Sequence, residues 1–278
     1  MNRIKIRIGH SPDADDAFMF YGLISGKVKL EDIDIEYILK DIQTLNEYAL
    51  KGDLEMTAIS AHTYPYVADK YWIMSTGASM GKGYGPILIS KKYSTMNELK
   101  GKKIATPGKL TTASLIFKIF YKEMENIDIP FDQIMGKVES GEFDAGLLIH
   151  EGQVTYREMG FNKILDLGTL WKERFGDLPL PLGIDIIRKD VGKNIALELN
   201  MALRQSIQCA FENSEEAMSY AIKFGRNLDK KLGDRFIRMY VNDLTINMGE
   251  KGKLALEKLF EAGYNLKLIP KVKNICII

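Results

Sequence analysis

The chain has 278 residues, 46% of them hydrophobic and 27% charged, which is an ordinary composition for one large α/β domain or two compact lobes. Thirty-eight Lys+Arg stand against 37 Asp+Glu, a net charge of +1. That balance offers no electrostatic footprint for nucleic acid or an acidic membrane surface.

Ile4, Ile6 and Ile8 alternate with Lys5 and Arg7, the period-2 pattern of a strand. Asp15 and Asp16 then precede AFMFYGLIS, a run that suits a buried helix. Residues 33–39 alternate again as a second strand, and Thr44 followed by Glu47 predicts a capping box opening a helix. MTAIS (56–60) reads as a short buried strand, with a helix or turn after it. Beyond a glycine-rich middle at 77–85, KKIATPG (102–108) predicts a strand and turn. In the following helix Leu115, Ile116, Ile119 and Phe120 fall on one apolar face. A helix over 131–139 leads to FDAGLLIHEG, a nearly continuous apolar run suited to a parallel strand, and residues 183–190 read as another strand. From about residue 193 to 262 the pattern is helical, interrupted near Gly225, Gly233 and Gly249.

Strands alternating with helices indicate an α/β fold with largely parallel sheets. Two segments bearing glycine and proline, GYGPILIS (83–90) and LPLPLGIDII (178–187), sit between regular stretches. If each crosses between lobes, one lobe comprises 1–88 plus 186–278 and the other 89–185. A ligand cleft then lies between them, and the crossings act as hinges near Pro86 and Leu180 to Leu182.

The remaining composition carries little chemistry. Arg226 with Lys230 and Lys231 is the densest basic patch; it is short, includes Asp229, and fits a solvated helix end. Cys209 and Cys276 lie far apart without metal-ligand spacing, and Cys209, inside an apolar helical pattern, is expected as a buried free thiol. The opening MNRIKIRIGH has no uncharged apolar run, and no segment approaches the roughly 20 apolar residues of a membrane span. A cytoplasmic protein that acts on neither membranes nor nucleic acid is expected, its oligomeric state open. Neither GKGYG nor PGKLTT fits a phosphate-binding P-loop, and G-x-S-x-G, H-E-x-x-H and C-x-x-C are absent. HSPDADD (10–16) lacks the spacing of a calcium loop, so its aspartates read as charges favouring a helix N-terminus, with no metal.

In open α/β sheets ligands bind beyond the carboxyl ends of strands. Ser11, Ser60, Thr111 and Thr112 follow predicted strand ends, where helix N-termini also offer free N–H groups to an anion. Ser and Thr are equally the preferred N-caps, so the pattern leaves capping and ligand contact both open. His150 ends the apolar run GLLI beside Glu151 and Gly152, as either a hydrogen-bonded core histidine or a general base near neutral pH.

Taken together, SPDADDAFMFYGL, LKDIQTLNEYALKGDL, GASMGKGYGP, TPGKLTTA, EFDAGLLIHEGQVTY, DLGTLWKERFGDLPLPLG and YVNDLTINMGEKG resemble, in order and almost end to end, the 1,4-dihydroxy-6-naphthoate synthase family. Those menaquinone-pathway enzymes act on cyclic dehypoxanthine futalosine. They resemble chorismate dehydratase, and both are similar in fold to type II periplasmic binding proteins. The resemblance implies a two-lobed clamp, no metal, no organic cofactor and a small anionic substrate. It places His150 on the family's catalytic histidine, proposed as general base, and Ser11, Asp16, Asn46, Ser60, Thr111 and Thr112 among cleft residues that meet the ligand. The first motif departs from the family's S-P-x-P-N-D: Asp15 replaces an asparagine. Negative charge facing a carboxylate substrate costs binding, so Asp15 is expected to point away or to hydrogen-bond its loop. A transporter's solute-binding protein, or a divergent member with another anionic ligand, is the alternative that the fold permits.

Overall fold

The computed structural model describes residues 3–225 and 229–278. Eleven strands form two sheets among the described residues: β1 Ile4–His10, β2 Ile33–Leu39, β3 Met56–Ser60, β4 Tyr71–Ile73, β5 Ser79–Gly81, β6 Ile87–Ser90, β7 Ile104–Thr106, β8 Asn126–Asp128, β9 Ala145–Leu148, β10 Asn162–Asp166 and β11 Leu180–Arg188. The first sheet runs β2-β1-β3-β11-β4, with β5 on β11; the second runs β10-β6-β9-β7-β8. The chain leaves the first sheet after Gly81 and returns to it at Leu180. The expected boundaries at 88/89 and 185/186 fall inside β6 and β11.

The expectation of largely parallel sheets needs correction. β1 pairs parallel with β2 and β3, and β7 with β8 and β9. β11 is antiparallel to β3, β4 and β5, and β6 is antiparallel to β9 and β10. The antiparallel strands β6 and β11 are those that enter a sheet from the other one. Neither is joined to a neighbour in its own sheet by a βαβ crossover, the connection that keeps consecutive strands parallel.

Helix starts differ in detail from the sequence pattern. Helix Ile42–Lys51 is capped by Asp41, whose carboxylate accepts from Thr44 N at 3.1 Å, rather than by a Thr44–Glu47 box. Helix Thr112–Phe120 begins at Thr111, whose Oγ1 accepts from Ser114 N. Gly233 lies inside helix Lys230–Tyr240, and Gly225 follows the short 3-10 helix Ile222–Phe224. Of the basic patch, Arg226 lies outside the described residues; Asp229 caps the helix that carries Lys230 and Lys231, accepting from Leu232 N at 2.7 Å. Cys209 is half-buried rather than buried, and both cysteines are free. Among the described residues no helix is long and apolar enough to cross a membrane.

The core joins the two sheets. Ile59, Ile184 and Ile186 of the first sheet cluster with Leu88, Ile104 and Leu147 of the second, through Leu256, Leu259 and Phe260 of helix Gly249–Asn265. A second cluster packs Ile6 and Ile8 of β1 on Phe18, Leu203, Ile207 and Phe236. Removing such apolar surface from water drives the packing at roughly 25 cal/mol per Å².

Candidate active site

Four strand ends converge on one cavity. β1 delivers Ser11 and the short helix Ala14–Met19, β3 delivers Ser60, the loop after β7 delivers Thr111 and Thr112, and β9 delivers His150. Ser11, Asp15, Asp16, Ser60, Thr111, Thr112, His150, Gln153 and Tyr240 all line it. Among the described residues no lysine or arginine does.

Each residue expected from sequence finds a distinct place. Ser60 lines the cavity, while Asn46 is fully buried behind it. Asn46 Oδ1 accepts from Ser60 N at 2.8 Å and its Nδ2 donates to Ser60 Oγ at 3.2 Å. Asn46 therefore orients Ser60 and leaves the serine hydroxyl proton free for a ligand; expected in the cleft wall, it stands one layer deeper. Thr112 Oγ1 donates to Leu182 O at 2.6 Å and accepts from His62 N at 3.2 Å. Thr111 Oγ1 is occupied in capping, donating to Gly108 O at 2.8 Å. Both hydroxyls are engaged within the protein, so what this corner offers a ligand is the first amides of the helix, which lack intrahelical partners.

The acidic segment is not a simple helix cap. Asp16 Oδ2 accepts from Ser11 N at 2.6 Å. Asp13 occupies the N-cap position without capping: its side chain turns to accept from Ser11 Oγ and stands 3.2 Å from His150 Nδ1. Asp15, expected to point away or to hydrogen-bond its loop, lines the cavity while its carboxyl meets the backbone amides of Asp15 and Asp16. Burial, followed by the negative charge of Asp13, pushes its carboxyl up to about 7, and the same effects, with Asp15 and Asp185, hold Asp16 well above the usual range. A protonated Asp15 carries no charge to repel an anion, which removes the ground for expecting it outside. Asp185 lies just behind the wall, its Oδ2 in the space where a side chain on Gly77 would project. Burial pushes it up to about 8.

That last shift predicts a pH-dependent stability. A carboxyl whose folded value lies above its unfolded one, about 4, contributes stability fully below that value. The contribution is lost as pH rises through the folded value, here about 8. Asp185→Asn should therefore flatten the fall in Tm between pH 5 and pH 9 in thermal unfolding scans. Asp15, Asp16 and Glu151, raised by the same burial, keep part of the slope. An unchanged slope would reject a buried, neutral Asp185.

His150 lines the cavity beside these carboxyls. Its backbone φ is +53°, a left-handed conformation rare for a residue with a Cβ and typical of functional constraint. Nε2 is buried and has no protein partner, Nδ1 faces Asp13, and the ring packs on Phe131 with centroids 4.8 Å apart. Gln153, with its amide nitrogen toward Gly85 O at 2.6 Å, accepts from His150 N at 3.2 Å and meets Tyr240 Oη. It thus ties the histidine to the first crossing and to helix Lys230–Tyr240. The other two histidines are structural. His10 stacks on Phe20 and His62 meets Thr111 O, and burial depresses both to about 4. Gln153, Tyr240 and Asp13 all lay inside the quoted motifs, but nothing in their spacing marked them as site residues. Among the described residues no group of three His, Cys, Asp or Glu side chains is arranged to hold a metal ion.

Known proteins agree with this architecture. The model of the menaquinone biosynthesis family matches residues 6–265. A 1,4-dihydroxy-6-naphthoate synthase of Thermus thermophilus is 35% identical over 255 residues, covering 92% of each chain. A solved structure from Archaeoglobus fulgidus is 48% identical, covers 95% of this chain and 98% of its own, and superposes with a TM-score of 0.91. The alkanesulfonate-binding protein of Xanthomonas axonopodis is only 11% identical, yet over 98% of this chain and 96% of its own it reaches a TM-score of 0.71. That likeness shows the shared two-lobed binding-protein fold and nothing of the ligand. With a family model spanning nearly the whole chain and a relative matching it throughout, the chain belongs to the menaquinone biosynthesis family.

Proposed function

We propose that the protein is a cofactor-independent lyase of the futalosine route, converting cyclic dehypoxanthine futalosine to 1,4-dihydroxy-6-naphthoate. The observation that carries this reading is His150 Nε2, buried without a protein partner in a residue that lines the cavity. A solute receptor needs donors and shape; a cavity histidine with one bare ring nitrogen is what proton transfer needs. Similarity to the named synthase supplies the substrate.

In this reading the chain is a clamp of two lobes, 3–84 with 180–278 and 85–179, closing about the crossings near Pro86 and Leu182. His150 removes a proton from the sugar-derived part of the substrate and starts breakdown of its spiro-linked ring. Ser60 Oγ and the first amides of helix Thr112–Phe120 hold anionic oxygens without a cation, and Asp15 and Asp16, both raised by burial, can donate to the substrate in their protonated forms. Closure excludes water around them.

The test is incubation of the purified protein with cyclic dehypoxanthine futalosine, following naphthoate by mass spectrometry. Turnover is expected without added metal or cofactor. No turnover, together with tight binding of an imported nutrient, would replace the enzyme by a receptor.

A further inference from the structure

The residue that faces His150 comes from the other side of the cleft and from the variable position of the first motif. Asp13 follows β1 of the first sheet, whereas His150 follows β9 of the second. The Asp13 side chain is 1% exposed, its Oδ2 accepts from Ser11 Oγ, and the same oxygen lies 3.2 Å from His150 Nδ1. Asp13 thus gives up the usual capping bond of an N-cap aspartate for this contact. Its Oδ1 is buried without a partner, so the carboxyl is committed to the histidine and the serine alone.

An oxygen that accepts from Ser11 accepts from Nδ1–H as well, which assigns the imidazole proton to Nδ1 and leaves Nε2 bare. Isolated imidazole side chains prefer the opposite tautomer, with the proton on Nε2, where it would block a base. A buried carboxylate at Nδ1 also stabilises the imidazolium that forms when Nε2 takes a proton. We propose that Asp13 is a positioning residue for His150, holding the Nδ1–H tautomer and completing the base when the two lobes meet. This rests on the reading of His150 as the base. Glu151, Asp15 and Asp16 also face this region; none makes a contact to Nδ1 among those seen.

The experiment is nitrogen-15 NMR of histidine-labelled protein, free and with saturating 1,4-dihydroxy-6-naphthoate. The chain has 3 histidines, so loss of one signal set in His150→Gln assigns it. The wild type is expected to show Nδ1–H at His150 in at least one of the two forms, and Asp13→Ala to move the proton to Nε2. In turnover, Asp13→Ala and the volume-preserving Asp13→Asn should lower kcat about 100-fold or more with little change in KM. Nε2–H in the wild type in both forms would overturn the assignment even if neither variant folds. Unchanged kcat in a folded Asp13→Ala would do the same. Wild-type protein with Nδ1–H at His150 but no turnover would reject the proposed reaction and leave the Asp13 pairing standing.

Discussion

His150→Ala is expected to lower kcat by about two to four orders of magnitude, the range for loss of a positioned general base, while substrate still binds. The reasoning is geometric. In the proposed site substrate would be held by Ser60, the helix N-terminus and the apolar walls of Ile59, Ile149 and Leu182, none of which depends on the imidazole. The base acts only at the step where a proton leaves, so its loss should fall on kcat rather than KM. Alanine keeps the Cβ that makes φ +53° unfavourable, so it leaves the left-handed strain in place. Steady-state kinetics and isothermal titration with substrate separate the two effects. A variant that retains more than a tenth of wild-type kcat would remove His150 from the mechanism.

Gly168→Ala is expected to cost about 3 kcal/mol or more of stability, the scale for overpacking against backbone that cannot yield. Gly168 opens helix Leu167–Phe175, its N–H donating to Asp166 Oδ1 at 2.9 Å. A Cβ there would fall 2.1 Å from Tyr84 C, 2.3 Å from its carbonyl oxygen and 2.5 Å from its Cα. Tyr84 belongs to the first crossing between the sheets, and its hydroxyl donates to Met239 O. The next residue, Gly85, meets Gln153, which in turn holds His150. The displacement would travel from the helix to the crossing and then to the loop that carries His150. Denaturant unfolding should show a lower midpoint at an unchanged slope, and turnover should fall with it. A midpoint shift worth less than about 0.5 kcal/mol, the size of a neutral surface change, would show that the crossing is loose.

How far the chain was legible depended on the range of the physics involved. Strands at 4–8, 33–39 and 56–60, and the helix after Thr111, followed from side-chain alternation and local capping, which involve neighbours a few residues apart. Helix Ala14–Met19 is too short for its N-cap to be told from sequence, and Asp13 turned out to serve another element. Strand β10 and the helix from Leu167 carried no clear period and were missed.

The amino-acid sequence by itself determined the α/β class, the succession of strand ends bearing Ser11, Ser60, Thr111, Thr112 and His150, and the family to which their motifs point. Those features are local, so they survive in any arrangement of the elements. The tertiary structure alone decided that β11 enters antiparallel, that Asn46 stands behind Ser60, that Asp15 faces the cavity, and that Asp13 reaches His150 across the cleft. Each of these depends on which distant segments exclude water from one another. Burial is what turns the acidic HSPDADD stretch from a charged helix start into a cavity wall, with Asp15 and Asp16 raised and Asp13 facing one histidine.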